Sequence, residues 1–234
     1  KKIVIKNLDD LKEHIKRGVP SFYFSSQTST VIPYDKIEKY LDTKNEFHMC
    51  DLSQMPDFMN LLENGNLIIR GAVNWKDARD YLRPKGRNIK TSPTEELALI
   101  IAGVATSCTG ERCFHFGNLR SQIKRIKYVN NEGNEIELHS HKKIDFSSNH
   151  LLKYQSDFSH YSDYKNAPFP RFETQTDLMT GTEGQLGIIT EIEMETTEDF
   201  RVSHLFMLIP KWEVDSKAHI EIIQKIQSFR EEII

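Results

Sequence analysis

The spacing of apolar and polar residues along this 234-residue chain changes period several times, and each change marks an element. The run IVIKN at 3–7 reads as a short strand. Asn7 then caps a helix with Asp9 and Asp10 in its first turn and Leu8, Leu11 and Ile15 along one face, stopped by Gly18 and Pro20. A second strand is expected over Ser21–Phe24, followed by the polar run SSQTST, a helix over 33–41 and a strand over 47–52. This β-α-β-α-β order predicts parallel pairing, because each helix supplies a crossover.

Beyond about residue 62 the pattern shifts. NLIIRGAVNW predicts a strand, and 74–82 a helix with Asn74 and Asp77 at its cap and third positions, closed by Pro84 and Gly86. Ser92, Pro93 and Glu95 read as a further helix start. IKRIKYV and NEIEL flank Asn130-Asn131-Glu132-Gly133, which predicts a β-hairpin over 123–139. The polar, aromatic stretch 145–176 reads as a long loop. Strict alternation over 188–196 sends Ile192 and Met194 to one face of a strand and Glu191, Glu193 and Glu195 to the other. A last helix, with Ile220, Ile223, Ile226 and Ile233 near helical spacing, runs to the final residue without a stop signal. That leads to the expectation of a C-terminal partner segment beyond it.

Composition narrows the function classes. With 31 Lys+Arg against 34 Asp+Glu, the net charge of −3 gives no general field for nucleic acid. No apolar run approaches the roughly 18–20 residues of a membrane span, and KKIVIKNLDD lacks a signal-peptide core. Cys50, Cys108 and Cys113 show no CxxC spacing, which favours a reducing, cytoplasmic setting over a disulfide framework or structural zinc. His139 and His141 share a strand face, but with Lys142 and Lys143 adjacent a solvated strand end is favoured over a metal site. Lys124, Arg125 and Lys127 read as the wet face of the hairpin, and Trp75 and Trp212 as core or interface residues. His160, Tyr161, Asp163 and Tyr164 could reach a substrate from the long loop, though a mobile insertion is the simpler reading.

Three stretches carry candidate chemistry. Gly181-Thr182-Glu183-Gly184-Gln185-Leu186-Gly187 runs into a strand, and glycines every three residues suit either a tight turn or a phosphate cradle. The order is wrong for a Rossmann turn, which passes from strand to helix, and no GxxxxGK[ST] is present. Gly103 to Arg112, followed by Phe116-Gly117-Asn118, is dense in small and hydroxyl residues, so it can lie against an extended ligand or simply form a buried turn. Ser25 to Thr30 follows a candidate parallel strand, where α/β ligand sites tend to lie, although a plain solvated loop is the safer reading of it in isolation.

Together these stretches resemble the FAD-linked oxidases with the flavin fold of the vanillyl-alcohol oxidase (PCMH-type) superfamily, nearest in pattern to glycolate oxidase and D-lactate dehydrogenase flavoproteins. "LALIIAGVATSCTGERCFHFGNLRSQI" and "LMTGTEGQLGIITEIEME" carry the likeness, with "DLSQMPDFMNLLENGNLIIRGAVNWKDARDYLRPKGRNIKTSP" ahead of them in the family's order. The resemblance implies an α+β fold of two subdomains, a small parallel β-α-β unit over 1–62 and a larger, mainly antiparallel sheet with helices over 63–200. The opening of a cap domain follows over 201–234. It implies non-covalent FAD. In the first loop Phe24, Ser25, Ser26 and Gln27 replace the family's Arg and glycines, while Thr28 and Ser29 match; Thr28 stands where some relatives attach flavin through His. Pro93, Gly103, Thr106, Gly110 and Gly117 match the second loop, and Glu183, Gly184, Gly187, Ile188 and Ile189 the last motif. The implied reaction is removal of a hydride equivalent from an alcohol or 2-hydroxy acid to flavin N5, with the electron acceptor open and no catalytic residue assigned. A flavin-binding subunit that turns over nothing alone, or needs a partner, is the alternative; an enolpyruvyl-sugar reductase is a weaker one.

Overall fold

The computed structural model describes residues 1–28, 46–145, 153, 156, 172–199 and 216–233. The chain divides into two compact units, Lys1–Asp199 and Phe200–Ile234.

The first unit opens with the strand β1 (Lys2–Val4), the helix α1 (Leu8–Lys16) and the strands β2 (Ser21–Phe24) and β3 (His48–Asp51). Asn7 caps α1 by accepting the Asp10 amide at 2.8 Å, as the sequence predicts. β3 lies between β1 and β2, and both pairings are parallel. The expected helix at 33–41 and Ser29 lie outside the described residues.

The larger sheet is antiparallel and six-stranded, in the order β4 (Phe58–Leu61), β5 (Asn66–Arg70), β9 (Ile188–Glu198), β7 (Ile123–Val129), β8 (Glu135–His139), with β6 (Arg87–Ile89) on a second stretch of β9. β4 was not foreseen: only four residues long and half exposed, it shows no alternation clear enough to read. α2 (Trp75–Leu82) is capped by Asn74, which accepts the Asp77 amide at 2.7 Å. α3 (Ile100–Ala105) and the single turn α4 (Cys113–Phe116) follow, and Lys153 and Ser156, inside the stretch expected to be a long loop, are helical.

One expectation fails. No helix starts at Ser92–Glu95, because Ser92 bridges to Glu111, whose amide donates to the Ser92 carbonyl at 2.7 Å. The Glu95 carboxylate accepts the nearby Leu97 amide instead of reaching back, and the amides of Trp75 and Lys76 take Ala98 and Glu96 as acceptors. Segment 91–99 is thus spent on α2 and on the 109–112 turn, and the helix begins only at Ile100.

Two apolar clusters result. The main one joins Leu67, Ile69, Ile126, Ile192 and Met194 of the sheet to Trp75, Ala78, Leu82, Ile100 and Val104 of the helices, all at most 1% exposed. The smaller one is the seam between the sheets, where Ile5, Leu11 and Cys50 meet Val129 and Ile188. The opposite face of the large sheet is less wet than expected. Arg125 and Lys127 pair with Glu191 at 2.8 and 3.2 Å, Arg70 also bonds Glu191, and Lys124 and Lys90 both pair with Glu195. Glu191 is consequently 3% exposed, yet its carboxyl is held below the usual range, because the hydrogen bonds and charges of Arg70, Arg125 and Lys127 outweigh the cost of burial. In the second unit the described residues form α5 (Ser216–Ile233), which leaves Ile220, Ile223 and Ile226 roughly half exposed.

Candidate functional site

The second loop and the glycine motif adjoin. α3 ends at Ala105, and its last carbonyls would be left without intrahelical partners. The 181–187 turn caps that end, since Glu183 donates to the Ala105 carbonyl at 2.9 Å and Gly181 donates at 3.1 Å to the Val104 carbonyl, which also accepts the Ser107 amide at 3.0 Å. Gly181 is pressed so closely that a Cβ there would lie 3.1 Å from the Ser107 Cβ and 3.2 Å from Arg120 Nη2.

Most of the glycines serve the fold directly. A Cβ on Gly110 would collide with the Ser92 carbonyl oxygen and Pro93, and one on Gly103 would meet Cys108 Sγ at 2.9 Å and Trp75 at 3.1 Å. Gly187, with φ 143°, lies against the Val129 carbonyl. Thr106 turns its hydroxyl back to the Ala102 and Gly103 carbonyls. Gly117 is tied from both sides: its carbonyl accepts from Thr91 Oγ1 at 2.8 Å, while Gln122 Nε2 bonds that hydroxyl at 2.8 Å. Ile188 belongs to the seam and Ile189 to the main core. Thr28 is half-buried beyond the end of β2.

Several groups remain available to a ligand. The amides of Gly110, Thr182 and Gly184 take no acceptor among the described residues. Two buried polar atoms beside the second loop, Trp75 Nε1 and Gln122 Oε1, also have no partner. The backbone is informative too. Among the described residues, the non-glycine positions with positive φ are Gln27 (55°), Ser107 (51°), Arg112 (61°) and Glu183 (52°). All four fall in the three stretches singled out from the sequence, and such conformations concentrate where backbone is shaped for function. Gln27 keeps a left-handed turn at a position where the resembled family has glycine.

Electrostatics in this region follow from burial. The Cys108 thiol is pushed up to about 12 by burial, with Cys113 adding to it, so Cys108 is a packed, neutral thiol. Burial and the neighbouring Arg79 lower Arg112, whose guanidinium bonds the Ile89 carbonyl and stands 5.5 Å from the Phe116 ring. His139 pairs with Glu137 at 3.0 Å, and no cluster of metal-ligating side chains occurs among the described residues.

Sequence reasoning placed Ser107 and Arg112 in the second stretch, Ser107 as a hydrogen-bonding hydroxyl, without foreseeing their left-handed backbone, and it missed Thr91, Gln122 and the buried pair Arg120–Asp177. One signal was legible: Thr174-Gln175-Thr176-Asp177 forms a reciprocal capping box at the turn Gln175–Leu178. A cavity of about 420 Å³ lies elsewhere, at the seam beneath Asn7, Met55, Arg70 and Thr190, and none of the predicted site residues lines it. No helix among the described residues is long and apolar enough to cross a membrane.

No family model matches the chain, and no curated protein matches it. Among solved structures it is similar to alkyldihydroxyacetonephosphate synthase in two crystal forms, each with a TM-score of 0.60, at 14% and 13% identity. The alignments cover 84% and 86% of this chain but only 31% and 32% of those chains, so the chain spans less than a third of their length. At that identity the likeness carries the fold and no activity. A parallel three-stranded sheet beside an antiparallel sheet, in the arrangement of those structures, is the PCMH-type FAD-binding fold.

Proposed function

We propose that the chain is the FAD-binding part of a flavin-dependent oxidoreductase, holding the cofactor non-covalently between the turns near 25–29, 103–117 and 181–189. The observation that carries this reading is that the left-handed residues Gln27, Ser107, Arg112 and Glu183 are confined to those turns. The free amides of Gly110, Thr182 and Gly184 suit the phosphate oxygens of a dinucleotide. Thr28, Pro93, Gly103, Thr106, Gly117, Gly187, Ile188 and Ile189 belong to this site chiefly as the backbone that shapes it, and Ser29 is assigned to it from the sequence alone. When bound, FAD would supply a hydride acceptor at N5 for an alcohol or 2-hydroxy acid. The chain's own contribution is to fix the diphosphate and shield the cofactor from water.

A fold of this kind does not select the reaction, and the solved structures it resembles bear the name of a synthase. The replacement of the family's Arg-Gly-Gly-Gly by Phe24-Ser25-Ser26-Gln27 favours a second reading, a flavin-binding subunit that needs a partner for turnover. Titrating the protein with FAD and following quenching of flavin fluorescence tests the shared claim. Saturable one-to-one binding is expected, and its absence with excess FAD removes both readings. Bleaching of the bound flavin on adding a panel of 2-hydroxy acids and alcohols then identifies the catalytic reading.

A further inference from the structure

Beneath the 181–187 turn lies a buried charge. Arg120 is 5% exposed and Asp177 is 3% exposed. Arg120 Nη1 donates to the Asp177 carbonyl at 3.2 Å and approaches its Oδ1 at 3.4 Å, while Nη2 donates to the Thr180 carbonyl at 2.5 Å. Asp177 Oδ2 in turn accepts from the amides of Glu173 and Thr174 at 3.0 and 2.8 Å and from Thr174 Oγ1 at 3.1 Å. The Thr180 hydroxyl donates to the Thr176 carbonyl at 2.9 Å. One guanidinium thus ties the whole of 173–180 to the turn Leu119–Gln122, two residues past Gly117.

The next residue, Gly181, is where that tie meets the second loop. Its amide bonds the Val104 carbonyl, and a Cβ added to it would meet the Ser107 Cβ and Arg120 Nη2. A buried ion pair is weak evidence for stability, since apolar side chains of similar volume often serve as well. What apolar side chains lack is register. The Arg120 fork reaches carbonyls at Asp177 and Thr180 together, and only one placement of the chain satisfies both.

We propose that Arg120, acting with Asp177, is the positioning residue of the candidate dinucleotide site. It sets the 181–187 turn against 104–107, so that the free amides of Thr182 and Gly184 stand beside Ser107. The ligand class rests on the flavin reading above; the positioning role does not.

The test compares wild type with Arg120→Lys and with the apolar pair Arg120→Met/Asp177→Leu in the full chain. Three readouts are taken: the urea midpoint, amide exchange of the 181–187 peptide without ligand, and FAD affinity. The apolar pair is expected to lower the midpoint, because it also leaves the Glu173 and Thr174 amides and the Thr180 carbonyl without partners; its distinguishing mark is that Gly181 and Glu183 exchange about tenfold faster or more relative to the amides of the β9 core, and FAD binds about tenfold more weakly. Arg120→Lys keeps the ion pair but cannot fork, so it loosens exchange to a lesser degree. Unchanged exchange in the apolar pair overturns the proposal, and unchanged exchange in Arg120→Lys does so if the pair does not fold. Faster exchange in a protein whose wild type binds no FAD supports the positioning role while removing the flavin reading.

Discussion

At the scale of single residues, the three candidate turns show how a glycine can look like a cofactor signature and yet be needed first by the protein itself. Gly110 is the clearest case: its missing side chain lets the 109–112 turn lie on Ser92 and Pro93, where Glu111 completes the bridge. Gly110→Ala should therefore cost about 1–3 kcal/mol, the range for forcing extra volume into a packed site. Chemical denaturation checks this, and a variant as stable as wild type would show that the turn does not rest on Ser92. The glycines were legible from sequence because their spacing is regular. The left-handed backbone of Ser107 and Arg112, residues already inside the second stretch, and the buried charge of Arg120 were not, because neither leaves a mark on residue spacing. Thr106 was legible as a hydroxyl in the right loop, but the partner it chooses, the α3 backbone, depends on where the helix stops.

At the scale of elements, caps and periodicity carried the reading. Asn7, Asn74 and the alternation of β9 each encode their element locally, so α1, α2 and the central strand were all foreseen. The Ser92-Pro93-Glu95 signal is equally local, and it was overridden by contacts to α2 and Glu111 that no window of sequence contains. The junction of α1 with the parallel sheet holds a consequence for pH. His14, 3% exposed, places Nε2 at 2.9 Å from Ser21 Oγ and 3.1 Å from Cys50 Sγ, with the His48 ring 5.2 Å away. Burial, then His48 and Arg17, hold its imidazole below the ordinary 6.5, while Tyr23, the remaining titratable group of β2 against it, is pushed up to about 12 by burial. A histidine with a lowered folded pKa leaves the unfolded chain binding more protons, so stability is complete above pH 6.5 and declines as pH falls below it. The lowered carboxyls of Asp51, Glu191 and Glu195 act in the same direction, but only below their ordinary 3.8 and 4.5. The loss between about pH 6.5 and about pH 5 thus belongs to the α1 junction, and His14→Gln should flatten it in denaturant titrations. An unaltered slope in that variant would place the titrating group elsewhere.

At the scale of the whole first unit, the two sheets meet through an apolar seam centred on Ile5, Leu11 and Cys50 against Val129 and Ile188, with Ile3, Leu8, Ile15, Tyr23, Leu52 and Met55 packed around it, next to a broad face of paired charges. If this seam opens before the sheets themselves unfold, the parallel unit should part from the antiparallel sheet below the global transition. The proposed turns lie on both sides of it: Gln27 and Thr28 follow β2, while Glu183 and Gly184 precede the start of β9 that packs into the seam. A dinucleotide held by both would close the seam as well as stabilise each part. FAD at about 100 times its Kd adds about 2.7 kcal/mol, a rise in melting temperature of roughly 5–10 °C for a chain of this size. Cys50 distinguishes bridging from one-sided binding, because it is fully buried in the parallel unit and becomes reactive when that unit opens. If FAD bridges the sheets, labelling of Cys50 by a thiol reagent, followed by peptide mass spectrometry, slows as the melting temperature rises. A rise without slower labelling would confine the cofactor to the turns at 103–117 and 181–189. The first loop, with its glycines replaced, would then have no part in holding it.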